Sequence, residues 1–261
     1  MTLSKGLEDF SLADKSALII GGEHPVGRVA AVTLAEAGAK ILIASQEPGT
    51  EEKIKETAKA AQSAGAKPIT QVQSAVLRAD LRSTIDRAVK QLGGLDLMVA
   101  AIDAPYYAPV EVADDSIFDR VIENNFKSIW MACQETGRTM LQRGGGVIVV
   151  VTSVLAERGV PNGSIYCAAK GAVANMVRAL ALEWARANIR INLLEAGWVD
   201  EERSPATVKG DFSSTLLKYL PYRRLVKPEE MAGALLYLAS PASSFVSGES
   251  VAVDGGLLCR V

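Results

Sequence analysis

Residues 16–38 read SALIIGGEHPVGRVAAVTLAEAG: an apolar run, a glycine-bearing turn, and a segment with helical periodicity that ends in a glycine. A strand that empties into such a turn and then a helix is suited to holding phosphate. The first turn of a helix carries unpaired N–H groups and the positive end of the helix dipole. Pro25 stands where that turn would best use a glycine or a free N–H. Proline is favoured at the first position of a helix, where its missing N–H would be unpaired anyway. The loop therefore loses one donor, while Val26 and the residues after it keep theirs. An altered but competent anion site is the expectation.

The same unit recurs down the chain. Further apolar runs are AKILIAS (39–45), KPITQV (67–72), LDLMVAA (95–101), GVIVVVTS (146–153), IRINLLEAG (189–197) and ESVAVDGG (249–256). Their hydrophobicity is continuous rather than alternating, as in parallel strands covered on both faces. Between them lie helix-like segments such as TEEKIKETAKAAQSAG (50–65), with glutamates at its start and a glycine at its end. This alternation predicts an α/β fold: one doubly wound parallel sheet of about seven strands, flanked by helices. Ligands then bind beyond the carboxyl ends of the strands. No break in composition divides the 261 residues, so a single domain is expected. Residues 1–14 read as an N-terminal extension. Residues 200–226 are weakly patterned, and a loop that long reads as a lid on the substrate side.

Composition removes several classes of function. The formal net charge is −2 with 22% charged residues, so no basic field points to nucleic acid. No apolar run approaches the ~20 residues of a membrane span, and residues 1–10 carry no signal-type apolar core. A cytoplasmic protein without a membrane partner is the expectation. Cys133, Cys167 and Cys259 lack metal-type spacing and read as reduced thiols; His24 is the single histidine. No metal site is expected, and a Ser-His-Asp hydrolase has little material.

The chemistry concentrates in SIYCAAKGAVANMVRALALEWA (164–185), where Tyr166 and Lys170 lie four apart and share a helix face. A tyrosine acting as general acid and base near neutrality needs its pKa of about 10 lowered by roughly three units, or ~4 kcal/mol. A neighbouring ammonium favours the phenolate and supplies this. Ser153 ends the buried run GVIVVVTS, where a hydroxyl can donate to a substrate oxygen. Asn125 falls inside the helical pattern of VIENNFKSIW, between the fourth and fifth runs.

With these four residues in place, the chain resembles the short-chain dehydrogenase/reductase family over nearly its whole length. The family tetrad would be Asn125, Ser153, Tyr166 and Lys170, at the family spacing. IRINLLEAG resembles the segment leading to the family's Pro-Gly, with Ala196 for the proline. KPEEMAGALLYLASPASSFVSGESVAVDGG (227–256) is similar to its C-terminal helix, loop and last strand. The resemblance implies a Rossmann-type fold and an NAD(P)-dependent enzyme interconverting a carbonyl compound and an alcohol. In it Tyr166 would move the proton, and Lys170 would lower the Tyr166 pKa and bind the nicotinamide ribose. Ser153 would orient the carbonyl, and Asn125 would hold a relay water. It further implies a homotetramer built on the long helices that carry Asn125 and Tyr166.

Carried onto this sequence, the cofactor residues would be Gly21, His24, Val26, Gly27, Ser45, Ala100, Tyr166, Lys170, Gly197 and Val199. Those meeting substrate would be Ser153, Leu155, Tyr166 and Trp198, with Tyr106 and Tyr107 beside them. The departures fall on the cofactor side. Pro25 replaces the second glycine of the turn, residues 100–103 read AAID where the family has NNAG, and Ser74 or Asp80 stands for the adenine-contacting aspartate. Ser45 replaces the acid found after the second strand in NAD-preferring members, and His24 offers a partial positive charge. Together these lean towards NADP(H), with NAD(H) open. Two other readings stay open: a non-redox relative that keeps the Ser153–Tyr166 pair, such as the halohydrin dehalogenases, which use arginine where this chain has Lys170, and a non-catalytic homologue.

Overall fold

The computed structural model describes residues 6–200 and 217–259. Most of the proposed lid and the first five residues lie outside that set. Seven strands form one sheet: β1 (Ser16–Ile20), β2 (Lys40–Ala44), β3 (Ile69–Gln71), β4 (Leu97–Ala100), β5 (Gly146–Ser153), β6 (Ile189–Ala196) and β7 (Ser250–Val253). Their order is β3-β2-β1-β4-β5-β6-β7, and every pairing is parallel. The helices are α1 (Pro25–Glu36), α2 (Glu51–Ser63), α3 (Arg78–Leu92), α4 (Asp115–Ile122), α5 (Ser128–Arg143), α6 (Ser164–Trp184) and α7 (Ala232–Ala239). The doubly wound sheet expected from the apolar runs is the fold observed.

Successive side chains of one strand point to opposite faces, so a continuously apolar strand feeds two cores. In β1, Leu18 and Ile20 join one core, with Met98, Ile148 and residues of α3, α5 and α6. Ala17 and Ile19 join the other, with Val99, Val149 and residues of α1, α2 and α7. Short β3 is only partly buried, because it is an edge strand.

Helix α6 corrects one sequence expectation. Its stretch is long and apolar enough, by length and composition, to cross a membrane, although charged residues interrupt it. The structure packs it as a core helix: Ala169, Val173, Val177, Ala181 and Trp184 are buried in one stripe. Gly137 of α5 makes room for this, since a Cβ there would lie 2.6 Å from the Trp184 ring.

A π-helical turn, Glu123–Lys127, joins α4 to α5 and contains Asn125. Such one-turn insertions shift backbone pairing by one residue and recur at functional sites. Here the Asn125 amide donates to the Val121 carbonyl at 3.0 Å. The irregular turn points this side chain inward, where it is fully buried.

Candidate active site

β1 and β4 are sheet neighbours although two strands separate them in sequence, so the winding direction reverses between them. In a doubly wound sheet that reversal opens a crevice at the carboxyl ends of the strands. The crevice is present: a pocket lined by the carboxyl ends of β5 and β6 and by residues following β1, β4 and β6, with Tyr166 and Lys170 of α6 beside them.

The turn after β1 is built from glycine for steric reasons. Gly21 has φ +87°, and a Cβ there would lie 2.1 Å from the Ala101 carbonyl oxygen. A Cβ on Gly27 would lie 2.0 Å from the Gly21 carbonyl oxygen, so this glycine lets α1 approach the turn. Pro25 is the first residue of α1, with His24 as the N-cap in extended conformation. Its ring lines a shallow outer groove with Arg28, Val29 and Pro228, away from the pocket. Among the described residues the N–H groups of Val26 and Gly27 make no backbone bond. A dinucleotide pyrophosphate therefore fits the start of α1, and Pro25 costs a donor without blocking the approach.

Tyr166 and Lys170 reach the pocket from the first turns of α6. Lys170 is 1% exposed, and its Nζ lies 5.3 Å from the Tyr166 ring centre and donates to the Ile102 carbonyl at 3.3 Å. Ser153, at the end of β5, accepts from the Leu155 N–H at 3.2 Å, which leaves its own hydrogen for a ligand oxygen. Tyr107 packs on Tyr166 at 5.7 Å between ring centres and on Trp198 at 6.1 Å. With Leu155, Val121 and Leu220 these rings form a separate apolar cluster over the tyrosine.

Of the residues expected from sequence, His24, Val26, Ser153, Tyr166, Lys170, Gly197, Trp198 and Val199 line the pocket. Gly21 and Gly27 belong to the turn after β1 and the start of α1, and Ala100 ends β4; none of the three is in the pocket lining. Asn125 does not reach it: its amide donates to the Ala104 carbonyl at 2.8 Å and its Oδ1 accepts from the Ala104 N–H at 3.0 Å. It braces the loop after β4. Ser45 is turned away as well, fully buried, donating to the Gln73 carbonyl at 3.0 Å and accepting from the Gln73 N–H at 2.8 Å. Ser74 and Asp80, the alternatives for adenine contact, are joined: the Ser74 N–H donates to Asp80 Oδ2 at 3.0 Å.

Two acids that do not stand out in the sequence matter here, Asp103 in the pocket and Glu23 in the turn after β1. Asp103 Oδ1 accepts from the Tyr166 hydroxyl at 2.7 Å and ion-pairs with Lys170 Nζ at 2.6 Å. Burial alone would raise its pKa. The Lys170 charge, hydrogen bonds from Lys170 and Tyr166, and the His24 charge outweigh burial and hold the carboxyl below its usual range. Glu23, buried in the glycine turn, accepts through Oε1 from the Gln46 N–H at 2.7 Å and the Glu47 N–H at 3.3 Å. Among the described residues its buried Oε2 has no partner. Gln46 Oε1 accepts from the Asp103 N–H and contacts His24 Nε2, both at 2.8 Å, so the imidazole is the donor. The only sequence signal for either acid is a charged residue inside an otherwise apolar or glycine-rich motif.

Comparison with known proteins agrees with this geometry. Residues 21–258 match the family described as Enoyl-(Acyl carrier protein) reductase. Cis-4-hydroxycyclohexanecarboxylate dehydrogenase of Sinomonas cyclohexanicum is 34% identical over 247 residues, covering 94% of this chain and 97% of that protein. A gluconate 5-dehydrogenase from Burkholderia cenocepacia J2315, solved in complex with NADP and tartrate, superposes with a TM-score of 0.90 at 32% identity, covering 98% and 99% of the two chains. A 7α-hydroxysteroid dehydrogenase complexed with NADH and 7-oxo glycochenodeoxycholic acid gives a TM-score of 0.89 at 28% identity, covering 98% of each chain. Similarity of this extent, over a sheet wound in this order and a serine, tyrosine and lysine meeting at its switch point, means that the chain belongs to the short-chain dehydrogenase/reductase family.

Proposed function

We propose that this protein is a nicotinamide-dependent oxidoreductase that interconverts a ketone or aldehyde with the corresponding alcohol. The observation that carries the reading is Tyr166 and Lys170 on one face of α6, in a pocket that Ser153 also lines. The cofactor, when bound, supplies or takes up the hydride. The chain's own residues do the rest. Tyr166 Oη holds the proton that a carbonyl oxygen gains in reduction and an alcohol gives up in oxidation. Ser153 donates to the same oxygen and fixes its position. Lys170 places a charge beside the phenol ring and is available to a ribose. Asn125, tied to both backbone groups of Ala104, keeps the loop after β4 against the site.

The pocket wall of Tyr107 and Trp198, backed by Leu155 in the same apolar cluster, suits a substrate with an apolar body next to its carbonyl. A panel of ketones with NADH and NADPH tests the reading. It should include cyclic ketones and keto-sugar acids, the compound types named for the relatives. Reduction of at least one ketone class is expected. Should neither cofactor quench tryptophan fluorescence at millimolar concentration, the redox reading falls and a non-redox relative replaces it.

Cofactor choice reads differently once the side chains are placed. The lean to NADP(H) rests on Ser45 and His24, but both are buried, with the Ser45 hydroxyl on Gln73 and the His24 Nε2 on Gln46. Glu23 meanwhile bonds the backbone directly after β2, with one oxygen unpaired. We therefore favour NAD(H), because the Glu23 carboxylate, held against the backbone after β2, is a like charge against a 2′-phosphate. Affinity for NADH should exceed that for NADPH about tenfold, a difference of ~1.4 kcal/mol. Glu23→Gln, which keeps the backbone acceptor, should narrow the ratio. A wild type that prefers NADPH would overturn this.

A homotetramer remains part of the proposal. Ala168, Ala179 and Leu182 lie exposed along α6, and Phe118 and Trp130 along α4 and α5, which suits close packing of these helices between copies. Light scattering at micromolar concentration should give four times the 27.6 kDa chain mass. A monomer would refute it. A reducing, cytoplasmic setting is part of the same proposal, in keeping with Cys133, Cys167 and Cys259 as free thiols.

A further inference from the structure

Short-chain dehydrogenases share a tyrosine and a lysine; this chain adds a carboxylate to the pair. Asp103 follows β4 by three residues, in the position where the family pattern places a glycine. It makes two short contacts, 2.7 Å to the Tyr166 hydroxyl and 2.6 Å to Lys170 Nζ, through one oxygen. The Asp103 backbone N–H is fixed by Gln46 at 2.8 Å, and the next residue is fixed by Asn125 through both backbone groups. The carboxylate is therefore held from two sides. Its side chain is still 35% exposed, at the pocket wall. The charged and titratable groups facing it are Lys170 and Tyr166 from α6 and His24 from the start of α1.

We propose that Asp103 is a positioning residue for the acid–base pair, offsetting the charge of Lys170 and holding the phenol proton, so that the site is biased towards carbonyl reduction. Reduction needs Tyr166 in its protonated form. As hydride reaches the carbonyl carbon from the reduced cofactor, the phenol proton passes to the carbonyl oxygen, and solvent restores the proton afterwards. Oxidation needs the opposite starting point, a phenolate able to take the proton of the alcohol. That phenolate would form next to the carboxylate that accepts its hydrogen bond. Like charges at this distance disfavour ionisation, and an ammonium already paired with Asp103 does less to promote it.

The inference rests on Tyr166 as the acid–base group, and its test separates the two. Asp103→Asn keeps an acceptor oxygen and removes the charge, while Asp103→Glu keeps the charge. The rate of alcohol oxidation is followed against pH in each variant. Ionisation of tyrosine is followed separately, by ultraviolet difference absorbance of the enzyme without substrate or cofactor. In Asp103→Asn the oxidation profile should move about one unit towards acid pH, roughly a tenfold faster oxidation below both midpoints. One tyrosine should ionise earlier, and this change should vanish when Tyr166→Phe is added. Asp103→Glu should stay near wild type. A folded Asp103→Asn enzyme whose profile and absorbance do not move, or move towards alkaline pH, overturns the proposal. If that variant does not fold, Asp103→Ser carries the same expectation and the same overturning result. A Tyr166→Phe enzyme of undiminished activity removes the acid–base assignment and this inference together. An inactive Tyr166→Phe beside an unshifted Asp103→Asn removes this inference alone.

Discussion

Tyr166→Phe is expected to lower kcat by about 10²–10⁴-fold, the range for loss of a positioned general acid or base. The ring stays, and with it the contacts to Tyr107 and Lys170, so the fold and the pocket wall should persist. What goes is the hydroxyl and its hydrogen bond to Asp103. Lys170 still neutralises that carboxylate, so no buried charge is left unpaired. Cofactor affinity should therefore change only a few-fold. Single-turnover rates with a ketone of the panel measure the first effect, and quenching of tryptophan fluorescence by NADH measures the second, with Trp198 in the pocket as reporter. A variant that keeps more than a tenth of the wild-type rate would place the proton transfer elsewhere. One that loses cofactor binding as well would show that the tyrosine acts mainly by holding the ligand.

Gly27→Ala carries the second large expected effect, this time on the scaffold of the site. The added methyl would lie 2.0 Å from the Gly21 carbonyl oxygen and 3.1 Å from the Gly22 Cα. Both are backbone atoms of the turn, and that turn is pinned by hydrogen bonds from the Gly21 and Gly22 N–H groups to the Ala44 carbonyl, at 2.9 and 3.0 Å. No flexible side chain can yield, so α1 must move off the sheet. Overpacking of this kind costs about 1–3 kcal/mol. For a chain of this size each kcal/mol lowers Tm by roughly 2–4 °C. The displaced N–H groups of Val26 and Gly27 should also bind pyrophosphate more weakly. Thermal denaturation with and without NADH reads both. A wild-type Tm together with wild-type cofactor affinity would mean that α1 does not sit as close to the turn as described.

The glycines are legible as a motif in the amino-acid sequence, because a turn that tight leaves a recognisable spacing. So are the strands. Val, Ile and Leu in unbroken runs state that both faces are covered, and the alternation with helices then leaves few topologies. The spacing of Tyr166 and Lys170 is legible for a related reason: four residues on a helix fix a shared face whatever surrounds it. Pro25 too is readable locally, since its preference for the first helical position needs only the helix.

Other properties depend on where distant segments meet. Ser45 stands in sequence at the place for a ribose contact, yet its backbone N–H bonds the Gln71 carbonyl and its hydroxyl turns to Gln73. Which side of a strand end a residue faces is set by register with its neighbour, and a single residue's phase reverses it. Glu23 reaches the backbone after β2 across 23 residues of sequence, and Asp103 reaches Tyr166 across 63. In the sequence alone, Asp103 is a missing glycine and Glu23 a spacer. Composition, periodicity and local spacing determined the sheet, its helices and the shared helix face of Tyr166 and Lys170. The tertiary structure decided the charges around that pair, because a carboxylate acts over a few ångströms of space, and those ångströms are set by strands that meet only after the chain has folded.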